Sequence, residues 1–566
     1  MKTTPRLRRA YLAMMAVAAS ALMGAGASAA LKSKPETSHD EAFQRNISTF
    51  NALTRELEQN YVDSIRVDEA FKAAIKGLLS TVDPYTEYYS YDDKEAIERL
   101  TTGAWGGIGS FIQSIGGETF ISEPIVGSPA MKAGLKPGDK IMRVDSVDVK
   151  GLASDKVSSL LRGRPATQVR VVVERPYVGS DSILSFDIMR EKVVEPSVPW
   201  HGVVGGHTGY IRLTQFIEHS AADVRKALEE FKGNPEVKNI VLDLRGNGGG
   251  LVESAVEILG NFLPKGTQVL RTRGKEADNE KIYKTQQKPL MPDIPMAVLI
   301  DGGSASAAEI TAGALQDLDR AVLIGSRSFG KGLVQGSRPL PYNGLLKVTV
   351  AKYFIPSGRL IQALDYSHRN PDGSVARTPD SLTHVYKTLN GREVRDGGGL
   401  TPDSVIDWGA NSSLLYGLLA NSYFFNYANK YVATHPEPDS LETFRLTDAE
   451  FEDFAAGVDA KTFKYDKICN MAIDQLREAV EQEGYMTDEL KATIESLEKQ
   501  VNHDLKSDIY TKRPQIEEYL TEEIAARYAP GSGRVRRELI SDKALDKAIE
   551  ILSDPALYNK ILRKKQ

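Results

Sequence analysis

The chain has 566 residues with a formal net charge of −5, and 41% of its residues are apolar. That length predicts three or four domains, and the apolar fraction is sufficient to pack a core in each of them. Because Cys469 is the only cysteine, an intramolecular disulfide is excluded, and we expect this side chain to fill space in a core.

The first 29 residues carry the pattern of a secretory signal peptide. Lys2 and three arginines precede an apolar stretch from residue 10 to residue 23, and Ala27-Ser28-Ala29 then matches a small-residue cleavage site. We expect export across the inner membrane to the periplasm, with an uncleaved, membrane-associated anchor as the alternative. Loss of four positive charges takes the net charge from −5 to −9, which argues against nucleic acid as a partner.

Residues 30–95 form a predicted helical region. Residues 38–80 show amphipathic helical spacing, with these apolar side chains on one face: Phe43, Ile47, Phe50, Leu53 and Leu57. The segment Asp83-Pro84-Tyr85-Thr86-Glu87-Tyr88 follows, and we interpret it as a structural turn.

Between residues 96 and 190 the pattern changes to short strands separated by glycine turns. The segments Gly106–Phe111, Gly127–Ala130 and Ala133–Asp139, with a strand at 141–144 and a helix at 152–161, resemble a PDZ domain of the bacterial protease type. Such a domain adds a peptide strand to an open sheet edge and captures the terminal carboxylate with loop N–H groups. The resemblance assigns that role to Gly107, Ile108 and Gly109. The alternative is a β domain that serves only as a spacer.

Residues 191–410 alternate strands and helices, which predicts an α/β domain. We expect strands at 209–216, 237–244, 295–300, 321–325 and 346–354, and helices at 220–232, 251–262 and 304–316. Asn343-Gly344, just before the last of these strands, is typical of a hairpin turn.

A glycine-rich loop, Asp243–Gly250, links the second predicted strand to a helix. Its consecutive glycines allow backbone N–H groups to converge on one point. A phosphate-binding loop is the competing interpretation, but neither the G-x-G-x-x-G nor the G-x-x-x-x-G-K-[ST] spacing is present.

A second strand-to-helix turn, Gly303–Ile310, contains two serines. Such a turn exposes a hydroxyl beside a helix amino end, where free N–H groups favour negative charge. Ser304, with Glu309 nearby, could instead cap the helix. Lys331 follows 25 residues after Ser306, between two glycines in the segment Phe329–Gln335.

The serine turn and the lysine segment together resemble the carboxyl-terminal processing peptidases, whose pattern is roughly S-A-S-A-S-E-I followed by F-G-K-G-x-V-Q. The resemblance implies that Ser306 is the nucleophile, that neutral Lys331 is its base and that Gln335 orients the lysine. The third serine of the pattern is Ala308 here. For lysine to act as a base, its pKa must fall from about 10.4 to about 7–8, which burial can achieve.

The same resemblance supplies an oxyanion hole. It assigns the two donors to the N–H of Gly249, with Gly250 as the alternative, and to the N–H of Ala307. His207 would replace Lys331 as the base if the lysine assignment failed. No metal site is expected, because the histidines lack the spacing of a zinc peptidase, and no nucleotide or other cofactor is implied.

Residues 411–566 are charged and helical by pattern, with Leu490, Ile494, Leu497 and Val501 at helical spacing. We expect packing, homo-oligomer formation or adaptor docking there. The predicted fold is multidomain α+β, with a crotonase/Clp-protease-like α/β core, an inserted PDZ-like domain and helical segments before and after it.

The predicted function is a secreted serine endopeptidase that acts on proteins or peptides with free carboxyl-terminal tails. Two alternatives stay open. One is a catalytically retired protein that binds peptides through its PDZ-like module, and the other is a hydrolase of a different acyl substrate on the same core.

Overall fold

A computed structural model describes residues 38–93, 99, 101–176, 182–276, 279–370, 373–409 and 412–563. The predicted signal peptide, residues 1–29, lies outside them. The chain divides into two compact units at residues 78 and 79. Within the described residues, every helix is too short or too polar to cross a bilayer.

The predicted amino-terminal helical region contains two helices, α1 (His39–Asn60) and α2 (Val67–Leu79). A capping box starts α1: the Ser38 hydroxyl accepts the Glu41 N–H, and the Glu41 carboxylate accepts the Ser38 N–H. The helix stops at Tyr61, which has extended backbone angles. Neither helix buries a side chain completely.

The second unit begins with strand β1 (Glu87–Tyr89) and then forms the predicted β domain. Its elements are β2 (Ala104–Gly107), β3 (Ser110–Ile115), β4 (Glu118–Pro124), α3 (Pro129–Ala133), β5 (Lys140–Val144), β6 (Val147–Asp148), α4 (Ser154–Leu161), β7 (Gln168–Glu174), β8 (Ile183–Met189) and β9 (Glu191–Val194). The sheet order is β3-β4-β5-β7-β8, with β6 beside β5. Strands β2 and β9 pair with each other, so the two ends of the insertion lie side by side.

A parallel sheet forms the centre of the α/β domain. It contains β10 (Trp200–Val204), β11 (Thr208–Arg212), β12 (Asn239–Asp243), β15 (Met296–Ile300), β16 (Val322–Gly325) and β23 (Ser404–Val405), in that order, with β10 as an antiparallel edge. Helices α5 (Ser220–Gly233), α6 (Val252–Leu259) and α7 (Ala307–Asp317) pack on one face.

Alternate residues of these strands face opposite sides of the sheet. Ile240 and Leu242 pack in the cluster with α5 to α7, whereas Val241 packs in the cluster on the other face. Both faces are therefore buried, which explains why the central strands are continuous apolar runs rather than alternating ones.

A second sheet lies beside the first. Its strands are β1, β13 (Gln268–Gly274), β14 (Glu280–Lys284), β17 (Leu333–Pro339) and β18 (Leu345–Phe354), with order β1-β18-β13-β14 and β17 also paired to β18. Tyr342 and Asn343 adopt positive φ between β17 and β18, which confirms the predicted hairpin. Four short strands complete this domain: β19 (Leu364–Arg369), β20 (Val375–Arg377), β21 (Val385–Lys387) and β22 (Glu393–Arg395).

Helices make up the rest of the chain: α8 (Ser413–Ala420), α9 (Tyr423–Thr434), α10 (Asp448–Ala456), α11 (Ile468–Gln482), α12 (Asp488–Val501), α13 (Leu505–Thr511), α14 (Arg513–Tyr528), α15 (Gly533–Glu538), α16 (Lys543–Ser553) and α17 (Pro555–Ile561). The predicted fold class is confirmed. Cys469, however, is exposed, so its expected place in a core is wrong. Ile473 is the buried residue of α11, whereas Cys469 lies one turn earlier, at the start of the helix, where it stays exposed.

The last helices cover the second face of the parallel sheet. Leu545, Ala548 and Leu552 of α16 pack against Val241 and Leu299. Asp542 fixes the start of α16, because it accepts the N–H groups of Ala544 and Leu545. Its carboxylate also lies 2.5 Å from Arg245 of the glycine-rich loop. The end of the chain thus completes the core and contacts the loop that leads to the site.

Replacing Asp542 by alanine should destabilise the second unit by about 2–4 kcal/mol, because it removes a helix cap and leaves the half-buried Arg245 with one carboxylate fewer. Chemical denaturation measures this loss. Asp554→Ala is the matched control, since Asp554 caps α17 in the same way but is exposed, and it should cost about 1 kcal/mol. Equal losses in the two variants would show that the Arg245 contact contributes nothing.

Candidate active site

The serine turn follows the carboxyl end of β15. Asp301 organises it by accepting the N–H groups of Gly303, Ser304 and Gly246, which joins it to the glycine-rich loop. The Ser304 hydroxyl donates to the Leu244 carbonyl oxygen at 2.7 Å, so Ser304 stabilises the turn and does not cap α7.

Ser306 is the residue at the start of α7, and its backbone has φ 55° and ψ −114°. A non-glycine residue in this region costs roughly 1–3 kcal/mol and persists only where its surroundings enforce it. This conformation also explains why α7 begins at Ala307 rather than at the predicted residue 304. The residue is 9% exposed and lines a cavity of about 950 Å³.

Glu309, in the first turn of α7, is fully buried and accepts four hydrogen bonds. Its donors are the N–H groups of Ser306, Gly330 and Lys331 and the hydroxyl of Ser328. Burial raises the pKa of the Glu309 carboxyl to about 7, although these hydrogen bonds oppose the rise. One carboxylate therefore connects the serine turn to the lysine segment.

Lys331 lines the same cavity. Burial lowers the pKa of its ammonium group to about 8, and the positive charge of Lys347 acts in the same direction. Its Nζ lies 4.2 Å from the centroid of the Tyr85 ring. The Tyr353 hydroxyl lies 2.5 Å from the Lys331 carbonyl oxygen and 3.2 Å from that of Ser306, which ties the two backbones together.

The structure brings the three expected side chains into one cavity but does not join them. Ser306, Lys331 and Gln335 all line it. Within the described residues, no hydrogen bond connects Lys331 Nζ to Ser306 Oγ or to Gln335. The Gln335 amide instead donates to the Thr349 hydroxyl at 3.2 Å.

The glycine-rich loop packs directly against the nucleophile turn. A Cβ on Gly249 would lie 2.8 Å from both Ser306 Cβ and the Ala307 nitrogen, so only glycine fits there. The Gly249 N–H donates to the Asn247 side chain at 2.8 Å. The N–H groups of Gly250 and Ala307, by contrast, have no acceptor anywhere in the described part of the chain. Gly250, the alternative donor, is therefore the freer one in this structure.

Two of the three residues expected to capture a carboxylate also line the cavity, namely Ile108 and Gly109. Gly107 lies at the end of β2, where it pairs with Glu191 of β9. The cavity thus extends from Ser306 to the edge of the β domain. Ser158 and Leu161 of α4 form part of its wall there.

His207 lies away from this cavity. It precedes β11 at the amino ends of the parallel strands, whereas Ser306 follows the carboxyl end of β15. Its side chain is 61% exposed and faces Glu236. The geometry therefore gives no support to His207 as an alternative base.

Three site features were not predicted. Glu309 was considered only in connection with helix capping. Its position three residues after Ser306 is the one sequence signal that it could bind the nucleophile turn. Tyr85 was interpreted as part of a structural turn. The third is the Asn247 side chain, whose hydrogen bond occupies the Gly249 N–H; nothing in the sequence indicates it.

Three family models match the chain. Peptidase family S41 matches residues 207–372, the PDZ domain matches residues 120–175, and the "probable PDZ-protease, C-terminal helical domain" matches residues 414–552. The carboxy-terminal-processing protease of Bartonella bacilliformis is 33% identical over 63% of this chain and 82% of its own. The chain belongs to the carboxy-terminal processing protease family. The resemblance inferred from the two motifs is thereby confirmed.

Other members of the family are similar to a comparable extent. The carboxy-terminal processing protease CtpA of Bacillus subtilis is 32% identical over 61% of this chain and 72% of its own. Among solved structures, the photosystem II D1 C-terminal processing protease is 28% identical over 65% of this chain and 88% of its own, with a TM-score of 0.35.

Replacing Glu309 by glutamine should abolish most of the protease activity and destabilise the protein by roughly 2–4 kcal/mol. Each carboxylate oxygen accepts two hydrogen bonds, and a glutamine NH₂ in place of either oxygen would face at least one backbone N–H and leave it unpaired. Activity and denaturation assays measure the two effects. Glu450→Gln is the control, because Glu450 occupies the same position in the capping box of α10 outside the site. A fully active Glu309→Gln enzyme would show that the carboxylate does not hold the two loops.

Proposed function

We propose that this protease is an exported serine endopeptidase that cleaves proteins after binding their free carboxyl-terminal tails, with Ser306 as nucleophile and Lys331 as base. One observation carries the proposal: Ser306 and a buried lysine whose pKa is about 8 line a single cavity that also reaches the PDZ domain. A lysine with that pKa is substantially neutral near pH 8, as a general base must be.

The chemistry follows the usual order for an acyl-enzyme. Lys331 takes the proton of the Ser306 hydroxyl as Oγ bonds to the scissile carbonyl carbon, and the oxyanion that forms accepts the Ala307 N–H and an N–H of the glycine-rich loop. As the C–N bond breaks, Lys331 returns the proton to the leaving amine. Water then hydrolyses the ester. Each oxyanion donor supplies about 2.7–4 kcal/mol of stabilisation.

The geometry favours Gly250 over Gly249 as the loop donor, because Asn247 occupies the Gly249 N–H. Gln335 would orient Lys331 through its amide oxygen, while its amide nitrogen donates to Thr349. Lys331 Nζ and Ser306 Oγ are not hydrogen-bonded in this structure, so the two groups must approach each other before the proton can move.

Export rests on the signal pattern of residues 1–29, which would place the enzyme in the periplasm. A homo-oligomer or adaptor role for residues 411–566 remains a prediction. The alternative is a catalytically inactive protein that only binds peptides, and the cleavage assay in the next paragraph distinguishes the two.

Ser306→Ala and Lys331→Ala should each lower the rate of cleavage of an unfolded protein by roughly 10³-fold or more, because the members of such a unit act together. For the unchanged enzyme, the rate should rise with pH through about 8, since the protonated lysine is not a base. Lys352→Ala is the matched control, because Lys352 is exposed on β18. Inactive wild-type protein would favour the retired protein, and an active Lys331→Ala enzyme would exclude the lysine base.

Amidation of a substrate's carboxyl terminus should weaken its cleavage when binding limits the rate, because the PDZ domain gains affinity from the free carboxylate. Pairs of peptides that differ only in that group, compared by kcat/KM, measure the effect. Deletion of residues 108–190 should erase the preference, and the pairing of β2 with β9 makes a short linker sufficient to close the gap. Equal cleavage of free and amidated tails by the full chain would assign the PDZ domain the role of a spacer.

A further inference from the structure

The turn Asp83–Thr86 lies against the candidate base. Lys331 Nζ is 4.2 Å from the centroid of the Tyr85 ring and lies over its face. The face of an aromatic ring is the negative side of its quadrupole, so this contact stabilises an ammonium group and does little for a neutral amine. In this structure the Lys331 amine is not hydrogen-bonded to Ser306 and lies instead against the Tyr85 ring.

Tyr85 is itself fixed in place by several contacts. The Asp83 carboxylate accepts the N–H groups of Tyr85 and Thr86 at 2.8 and 2.9 Å, which closes the turn. The hydroxyls of Tyr85 and Tyr366 are hydrogen-bonded to each other at 3.2 Å, and the two rings meet edge to face at 5.9 Å. The Thr349 N–H donates to the Thr86 hydroxyl, which attaches the turn to β18.

The Tyr85 hydroxyl is not the group that acts on the lysine. Burial raises the pKa of this phenol far above its ordinary value, and the hydrogen bond with Tyr366 acts in the same direction. The phenol therefore stays neutral throughout the pH range in which the lysine titrates. Its contribution to Lys331 comes from the ring face alone.

Charged groups also surround Lys331, and they oppose one another. The positive charge of Lys347 on β18 disfavours the ammonium form, and three carboxylates favour it: Asp83 in the turn, Glu309 on α7 and Glu87 on β1. Across the described residues, none of these carboxylates lies within ion-pair distance of Nζ. The ring of Tyr85 is therefore the direct favourable contact of the ammonium group.

We propose that Tyr85 is a positioning residue for the Lys331 base: its ring face binds the ammonium form and thereby sets the pH range in which the protease works. This inference rests on the proposed Ser–Lys mechanism. The Tyr85 ring opposes the effect of burial on the pKa of Lys331. A lysine that was desolvated without any compensating contact would be too weak a base to hold the proton taken from Ser306.

Two consequences follow when the ring face is weakened. The lysine loses its proton at lower pH, so the midpoint of the pH–rate profile moves to lower pH. The plateau rate also falls, because a weaker base takes the Ser306 proton less readily. A residue with a merely structural role would lower the plateau without moving the midpoint.

The test replaces Tyr85 by phenylalanine and by a trifluorinated phenylalanine, which keeps the ring shape but withdraws negative charge from its face. Tyr85→Phe should keep the wild-type midpoint. The fluorinated ring should lower the midpoint by about half to one pH unit and the plateau several-fold. The readouts are kcat/KM for an unfolded protein against pH and the pH dependence of Ser306 labelling by a fluorophosphonate.

Tyr366→Phe is the matched control, because it removes the hydroxyl pair without touching the Tyr85 ring, and its midpoint should match that of the wild type. Equal midpoints for the phenylalanine and the fluorinated variants would overturn the inference. The Lys331→Ala variant distinguishes failure of the proposed Ser–Lys mechanism from failure of the proposed role of Tyr85. Activity in that variant refutes the Ser–Lys mechanism itself, whereas an inactive variant beside an unresponsive fluorinated enzyme refutes only the role of Tyr85.

Discussion

The buried carboxylate of Glu309 is the interaction on which the site depends. It accepts hydrogen bonds from the nucleophile turn at Ser306 and from the segment that carries Lys331, which lie on different strands of the fold. An unpaired buried N–H costs about 1–3 kcal/mol, so four donors directed at one carboxylate specify a single arrangement of both loops. That arrangement provides the constraint that a serine at φ 55° requires.

The same carboxylate contributes to the electrostatics of the base. Burial alone would favour the neutral form of Lys331 strongly, and Lys347 adds to this effect. Glu309, Asp83 and Glu87 act against both. The resulting pKa of about 8 is a balance between these contributions and not the product of one partner. A lysine used as a base needs this compromise, because it must be neutral at working pH and still hold a proton during the reaction.

Sequence patterns predicted the strand–turn–helix units well, because continuous apolar runs mark strands that are buried on both faces. They placed Ser306 and Lys331 near one another only through the family resemblance, since no local pattern reports a contact between loops of different strands. Contacts such as that of Asn247 with the Gly249 N–H, and of Tyr85 with Lys331, are tertiary. They depend on side-chain directions that neither periodicity nor spacing encodes.

The role of residues 411–566 illustrates the same limit. Their helical pattern was evident from the sequence. Nothing in the sequence showed that α16 covers the second face of the parallel sheet. Earlier in the same segment, Phe425 of α9 meets Phe120 of the PDZ domain at 6.1 Å, and the Gly531 N–H donates to Glu123 at 2.6 Å. The helical segment therefore contacts both the sheet that positions Ser306 and the domain whose edge lines the cavity. Because this segment contacts both, packing as well as the β2 and β9 connections determines the orientation of the PDZ domain relative to Ser306.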